Sequence, residues 1–114
     1  MSGISCHVLD TSLGRAASGI AVRLERLAGT APGWQSLAAV VTDGDGRAAG
    51  LEGAAARALG PHRLTFELES YFHRTGQVIF FPRAQVEFIV SSATEKYHVP
   101  LLLSPFGYCT YRGS

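Results

Sequence analysis

The sequence predicts an all-β fold, a small sandwich of antiparallel sheets with one short helix. Two observations predict it: short runs with period-two alternation recur along the 114 residues, and clusters of Gly, Pro, Asp and Ser separate them. Ile4 to Leu9 reads as the first strand and stops at Asp10-Thr11-Ser12-Leu13-Gly14, where Asp and Gly favour a turn. The chain direction reverses over Arg15 to Gly19. A second strand starts near Ile20, with Ile20, Val22 and Leu24 on one face and Ala21, Arg23 and Glu25 on the other. After Gly29-Thr30-Ala31-Pro32-Gly33, Trp34 to Thr42 is the third strand, and Thr42-Asp43-Gly44-Asp45-Gly46-Arg47 closes it with a tight loop.

The Ala-rich stretch from Gly50 to Gly60 has helical propensity, but the Gly and Pro punctuation around it points to a short irregular strand and loop. In His62 to Leu68 the alternation is clean, with Leu64, Phe66 and Leu68 inward and Arg63, Thr65 and Glu67 outward. Glu69 to Thr75 carries Tyr71 and Phe72 ahead of Gly76, which suits one or two helical turns capped by that glycine. Arg83 to Val90 is a strand after Pro82. The last hairpin is Tyr97 to Leu103, a turn at Ser104-Pro105-Phe106-Gly107, and Tyr108 to Arg112. The whole of residues 1–114 is expected to form a single domain around one core, with no linker, repeat or low-complexity tract.

Composition excludes several functions. A hydrophobic share of 46% suffices for a core at this size, and a net charge of +1 with scattered arginines provides no basic stripe for nucleic acid. No apolar run approaches the roughly 20 residues that cross a bilayer. The start, Met1-Ser2-Gly3-Ile4-Ser5-Cys6-His7, lacks the pattern of a secretory leader, so a cytoplasmic protein is expected. Cys6 and Cys109 are expected to be two small buried thiols in a reducing compartment.

Polar groups that interrupt apolar strands are the informative ones, because a buried imidazole or guanidinium needs partners to offset its desolvation. His7, His98, Arg47 and the terminal Tyr111-Arg112-Gly113-Ser114 stand out in this way. His62 and His73 read as structural or exposed. The four histidines lack zinc-site spacing, no Cys pair supports one, and no metal or cofactor is expected. Gly44-x-Gly46 lacks the ending of a phosphate loop, and Glu67 with Glu69 reads as a solvated face rather than a pair of catalytic carboxylates.

The chain resembles the transthyretin-like 5-hydroxyisourate hydrolases along its whole length. The matching segments are His7-Val8-Leu9-Asp10, Gly14, Gly19-Ile20-Ala21-Val22, Thr42-Asp43-Gly44-Asp45-Gly46-Arg47, Tyr71-Phe72, Phe80-Phe81-Pro82 and Tyr97 through Ser114. The ending Tyr111-Arg112-Gly113-Ser114 is the most specific, since it resembles the tetrapeptide that separates these hydrolases from the carrier transthyretin. The resemblance implies a transthyretin-like sandwich of about eight strands and one short helix, in agreement with the strands read above. It also implies a homotetramer, a dimer of dimers, whose active sites lie at the dimer–dimer interface.

Carried over position by position, the resemblance makes His7, Arg47, His98 and Ser114 catalytic, and gives His7, Arg47, Tyr111, Arg112 and Gly113 contacts to the substrate. Lys96, where many relatives have His, and Cys109, where they have a small residue such as Ser, depart from the family pattern. The implied reaction adds water to 5-hydroxyisourate and opens a ring amide to give 2-oxo-4-hydroxy-4-carboxy-5-ureidoimidazoline. The residue types suit it: a histidine near its ordinary pKa can take a proton from water, and an arginine can stabilise charge on the attacked carbonyl. Which histidine is the base stays open at this level. If Tyr108 to Ser114 were a regular strand, Tyr111 and Arg112 would face opposite ways, so one of them would order the tail. The competing reading is a carrier of the transthyretin type that holds a flat aromatic ligand; a plain structural sandwich ranks behind it.

Overall fold

The computed structural model describes residues 3–27, 33–49, 51 and 59–114. In chain order the elements are β1 (Gly3–Asp10), β2 (Arg15–Ala16), β3 (Ala21–Leu27), β4 (Trp34–Val41), β5 (Arg47–Ala48), β6 (Gly60–Glu67), α1 (Glu69–Arg74), β7 (Arg83–Val90), β8 (Lys96–Ser104) and β9 (Gly107–Thr110). One sheet runs β2-β1-β8-β9, with β5 also paired to β1, and the other runs β4-β3-β6-β7. No helix among the described residues is long and apolar enough to cross a membrane.

Alternation places the core between the sheets. Ile4, Cys6 and Val8 of β1 and Tyr97, Val99, Leu101 and Leu103 of β8 point inward, against Val22 and Leu24 of β3 and Leu64 and Phe66 of β6. The helix adds Tyr71 and Phe72, and the chain leaves it through Thr75 and Gly76, whose φ of 68° is a left-handed value that favours glycine. Tyr71 also ties the helix to the first sheet, because its hydroxyl donates to Asp10 Oδ2 at 2.7 Å. Asp10, 1% exposed, accepts further bonds from Gln77 Nε2, the Ser12 hydroxyl and the Ser12 and Leu13 amides. Burial alone would raise its pKa, but these donors outweigh it and hold the carboxyl below the ordinary aspartate value.

Several expectations need correction. The sheets are not wholly antiparallel: β1 and β8 run parallel, from Gly3 opposite Lys96 to Asp10 opposite Leu103. Parallel neighbours need a long crossover, and here the chain between β1 and β8 supplies it by building the second sheet. Thr65 is buried although it lies on the outward face of β6, because its neighbours Arg23 and Gln85 on the flanking strands cover it. Cys6 is buried, and burial pushes its thiol up to about 12 against a weaker opposing hydrogen bond at Ala48. Cys109 is exposed instead, since it lies opposite Leu102 on the outer face of an edge strand. The final strand ends at Thr110, short of Arg112. The expected irregular strand at Gly50 to Gly60 falls largely outside the described residues, while a two-residue β5 forms just before it.

Candidate active site

The outer face of the first sheet assembles the site. Since Ile4, Cys6 and Val8 point into the core, period two turns Ser5 and His7 outward on β1. On β8 the inward Tyr97, Val99 and Leu101 likewise leave Lys96, His98 and Pro100 outward. The parallel register then sets Ser5 opposite His98 and His7 opposite Pro100, so the two histidines sit diagonally on one face. On the other side of β1, Arg47 of β5 pairs with His7.

The Asp-Gly loop explains how Arg47 reaches that position. The Asp43 carboxylate accepts the Asp45 and Arg47 amides at 2.9 and 3.0 Å, and the Gly46 amide donates to the Asp43 carbonyl. These backbone bonds, that to Arg47 first, hold the Asp43 pKa below its ordinary value. Gly46 has φ 75° and donates no space to a side chain: a Cβ there would collide with the Val8 carbonyl. The Val8 amide in turn donates to the Gly46 carbonyl at 2.8 Å, which pins the loop to β1. His7 is fixed by the same loop, with Nε2 2.9 Å from the Asp45 carbonyl. A carbonyl only accepts, so His7 carries its proton on Nε2.

The end of the chain folds back onto His98. Pairing lapses after Thr110 and resumes as an isolated bridge in which the Gly113 amide donates to the His98 carbonyl at 2.7 Å. A Cβ on Gly113 would stand 2.6 Å from His98 Cδ2 and 3.3 Å from Pro100 Cγ. Only a residue without a side chain allows this approach. We expect Gly113→Ala to displace the imidazole or lift the terminus and to lower kcat by up to about 10²-fold, with the melting temperature little changed. Steady-state kinetics beside a thermal melt checks this.

The result is a depression of about 230 Å³ lined by Ser5, Arg47, Ala49, Lys96, His98 and Ser114, with Cys6 and Ala48 at its floor. Burial depresses the His98 pKa, and repulsion from His7 whenever that ring is protonated, from Arg47 and from Lys96 lowers it further. These surroundings disfavour the imidazolium and favour a ring able to accept a proton. Among the described residues, no group of three His, Cys, Asp or Glu side chains is placed to hold a metal ion.

The fold thus gathers Arg47, His98, Gly113 and Ser114, with His7 beside them. Tyr111 and Arg112 lie elsewhere, along a hollow of about 220 Å³ between the β7 and β9 edges that Val86, Phe88 and Val99 also line. Arg112 donates to Glu95 at 3.0 Å and to the Lys96 carbonyl, and it lies over the Tyr97 ring. Sequence reasoning passed over Ser5, whose Oγ is 2.8 Å from His98 Nδ1, and Asp45, which holds His7 by a backbone atom. The first contact depends on a strand register and the second on the Asp45 backbone carbonyl rather than its side chain. Neither leaves a local signal.

The chain is similar along its length to known proteins. A family model described as HIUase/Transthyretin family matches residues 4–113. A 5-hydroxyisourate hydrolase of Mus musculus is 42% identical over 113 residues, covering 99% of this chain and 96% of the relative. The solved 5-hydroxyisourate hydrolase of Klebsiella pneumoniae superposes with a TM-score of 0.84 at 38% identity, and all of both chains is covered. Sea bream transthyretin, solved in complex with thyroxine, superposes with a TM-score of 0.86 at 28% identity over 96% of this chain and 93% of that one. With nearly every residue inside the matched span and the same two-sheet architecture, the chain belongs to the HIUase/Transthyretin family.

Proposed function

We propose that this protein is a 5-hydroxyisourate hydrolase of purine degradation, and that the depression around His98 is where the ring amide is opened. The observation that carries the reading is the convergence of His98, Arg47 and Ser114 on one depression, with His7 register-paired to Arg47. The mouse and Klebsiella relatives named for this activity support it.

Water is a poor nucleophile at neutral pH and needs a base within hydrogen-bond reach. His98 is that base, because its surroundings disfavour the imidazolium and keep a lone pair available. It takes a proton from water as the oxygen attacks the ring carbonyl. Arg47 stays charged throughout and offers a planar fork of donors to the developing oxyanion. His7, with Nε2 committed to Asp45, has Nδ1 left to accept from the water and orient it. The proton held by His98 then passes to the leaving ring nitrogen as the amide bond breaks. Ser114 offers its hydroxyl to the substrate, and Gly113 lets it approach. Tyr111 and Arg112 serve by ordering the terminal segment.

The assembly in this reading is a homotetramer, a dimer of dimers, with sites at the dimer–dimer interface. The open outer face of the site sheet supports it, as do the exposed Ile89 on the free edge of β7 and Tyr111 beyond β9. A cytoplasmic site of action belongs to the same reading, and the unbridged thiols Cys6 and Cys109 support it. The test is the ultraviolet decay of freshly generated 5-hydroxyisourate, with the assembly state followed by light scattering on the same sample. Accelerated decay by a four-chain particle is expected. A transthyretin-type carrier would bind the ligand and leave the decay at its spontaneous rate, which would reject the hydrolase.

A further inference from the structure

We propose that Ser5 is a positioning residue for His98: its hydroxyl oxygen accepts from Nδ1–H and so keeps the Nε2 lone pair turned into the depression. The two side chains are direct partners across the parallel β1–β8 pair, both lie on the outer face, and both line the depression. Their Oγ and Nδ1 atoms are 2.8 Å apart. The rest of the ring is held too, since the Gly113 backbone lies close against Cδ2 and its amide is bonded to the His98 carbonyl. Nε2 is left as the ring nitrogen with no hydrogen-bond partner among the described residues.

A neutral imidazole carries one proton, and either tautomer could span the distance to Ser5. The charges around the ring decide between them. Facing His98 are His7 from β1, Arg47 from β5 and Lys96 from β8, and Ser114 of the terminal segment also lines the depression. A lone pair directed into a depression walled by Arg47 and Lys96 is attracted to them, whereas an N–H pointing the same way is repelled. The proton therefore resides on Nδ1, where Ser5 receives it. A hydroxyl orients the ring without the charge of a carboxylate, so His98 is aligned but not made more basic. Period two in β1 marks Ser5 as outward, and its role comes only from the register that sets it against a histidine 93 residues away.

The inference rests on His98 as the base, and the experiment separates the two. Nitrogen-15 NMR of the His98 ring, recorded without substrate, reads the tautomer, and kinetics of Ser5→Ala, Ser5→Thr and Ser5→Asp read the consequence. We expect a protonated Nδ1 in the wild type. Ser5→Ala should mix the tautomers and lower kcat by up to about 10²-fold with KM little changed, while Ser5→Thr should restore both. Ser5→Asp places an anion at Nδ1 and should move the acid limb of kcat/KM to higher pH, a response that a packing role would not produce. A wild-type His98 protonated on Nε2 would overturn the proposal, as would a Ser5→Ala variant with unaltered tautomer and kcat. If Ser5→Ala mixes the tautomers and leaves kcat intact, the Ser5 hold on the ring stands and the assignment of His98 as base falls.

Discussion

His98→Ala is expected to reduce kcat for 5-hydroxyisourate by about 10²–10⁴-fold, the usual worth of a positioned general base. The variant should keep its fold, because His98 lies on the outer sheet face, outside the Ile4–Phe66–Leu101 core. Arg47→Ala should follow with a loss of roughly 10²–10³-fold if the guanidinium meets the oxyanion. The pH dependence has a definite sign. Burial and neighbouring cations lower the His98 pKa, so the acid limb of kcat/KM should lie below the ordinary histidine value of about 6.5. Linkage adds a matching stability effect: the unfolded chain binds a proton at this residue before the folded one does. The contribution of His98 is therefore complete above about pH 6.5 and is lost as pH falls from there toward the folded pKa. Stopped-flow absorbance across the pH range, with circular dichroism on each variant, measures both. A folded His98→Ala that retained wild-type kcat would remove the base from the mechanism.

Asp10→Ala is expected to have the largest effect on stability, a loss of about 3 kcal/mol and a melting temperature lower by roughly 10–15 °C. The carboxylate is the common acceptor for Tyr71 on the helix, Gln77 beyond it, and Ser12 and Leu13 in the first turn. Its removal leaves the buried Tyr71 hydroxyl without its acceptor and unties the helix from β1. Because the folded-state pKa is below the ordinary aspartate value of about 3.9, the stabilisation is complete above that pH and is lost as pH falls through the lower folded value. Urea unfolding of wild type and variant between neutral and acid pH should show a shallower acid dependence in the variant. Equal stability of the two proteins would show that the network contributes nothing net.

Local patterning made much of the architecture readable in advance. Ile20, Val22 and Leu24, and Leu64, Phe66 and Leu68, are all buried as their alternation required, because a half-buried strand must send its apolar residues to one side. Tyr71 and Phe72 on a short helix before Gly76 were readable for a similar reason: a turn of helix here has one face to bury and a glycine to stop it. The segments around His7, Arg47 and His98 were legible as motifs and sufficed to identify the family.

Alternation assigns a residue to a face and leaves its neighbour on that face unspecified. The pairing of β1 with β8 in parallel, and in the register that opposes Ser5 to His98, came from the packing of the whole chain, since no local interaction spans such a separation. Cys109 was misread as buried because an edge strand has a face that no second sheet covers. A regular strand through the terminus would turn Tyr111 and Arg112 to opposite faces, but pairing lapses after Thr110 and sends Arg112 to Glu95 and Gly113 to His98. Residue types and their order along the chain thus established the fold class, the core and the inventory of reactive groups. The contacts that orient those groups arose from long-range closure, where backbone pairing and burial across distant segments select the register.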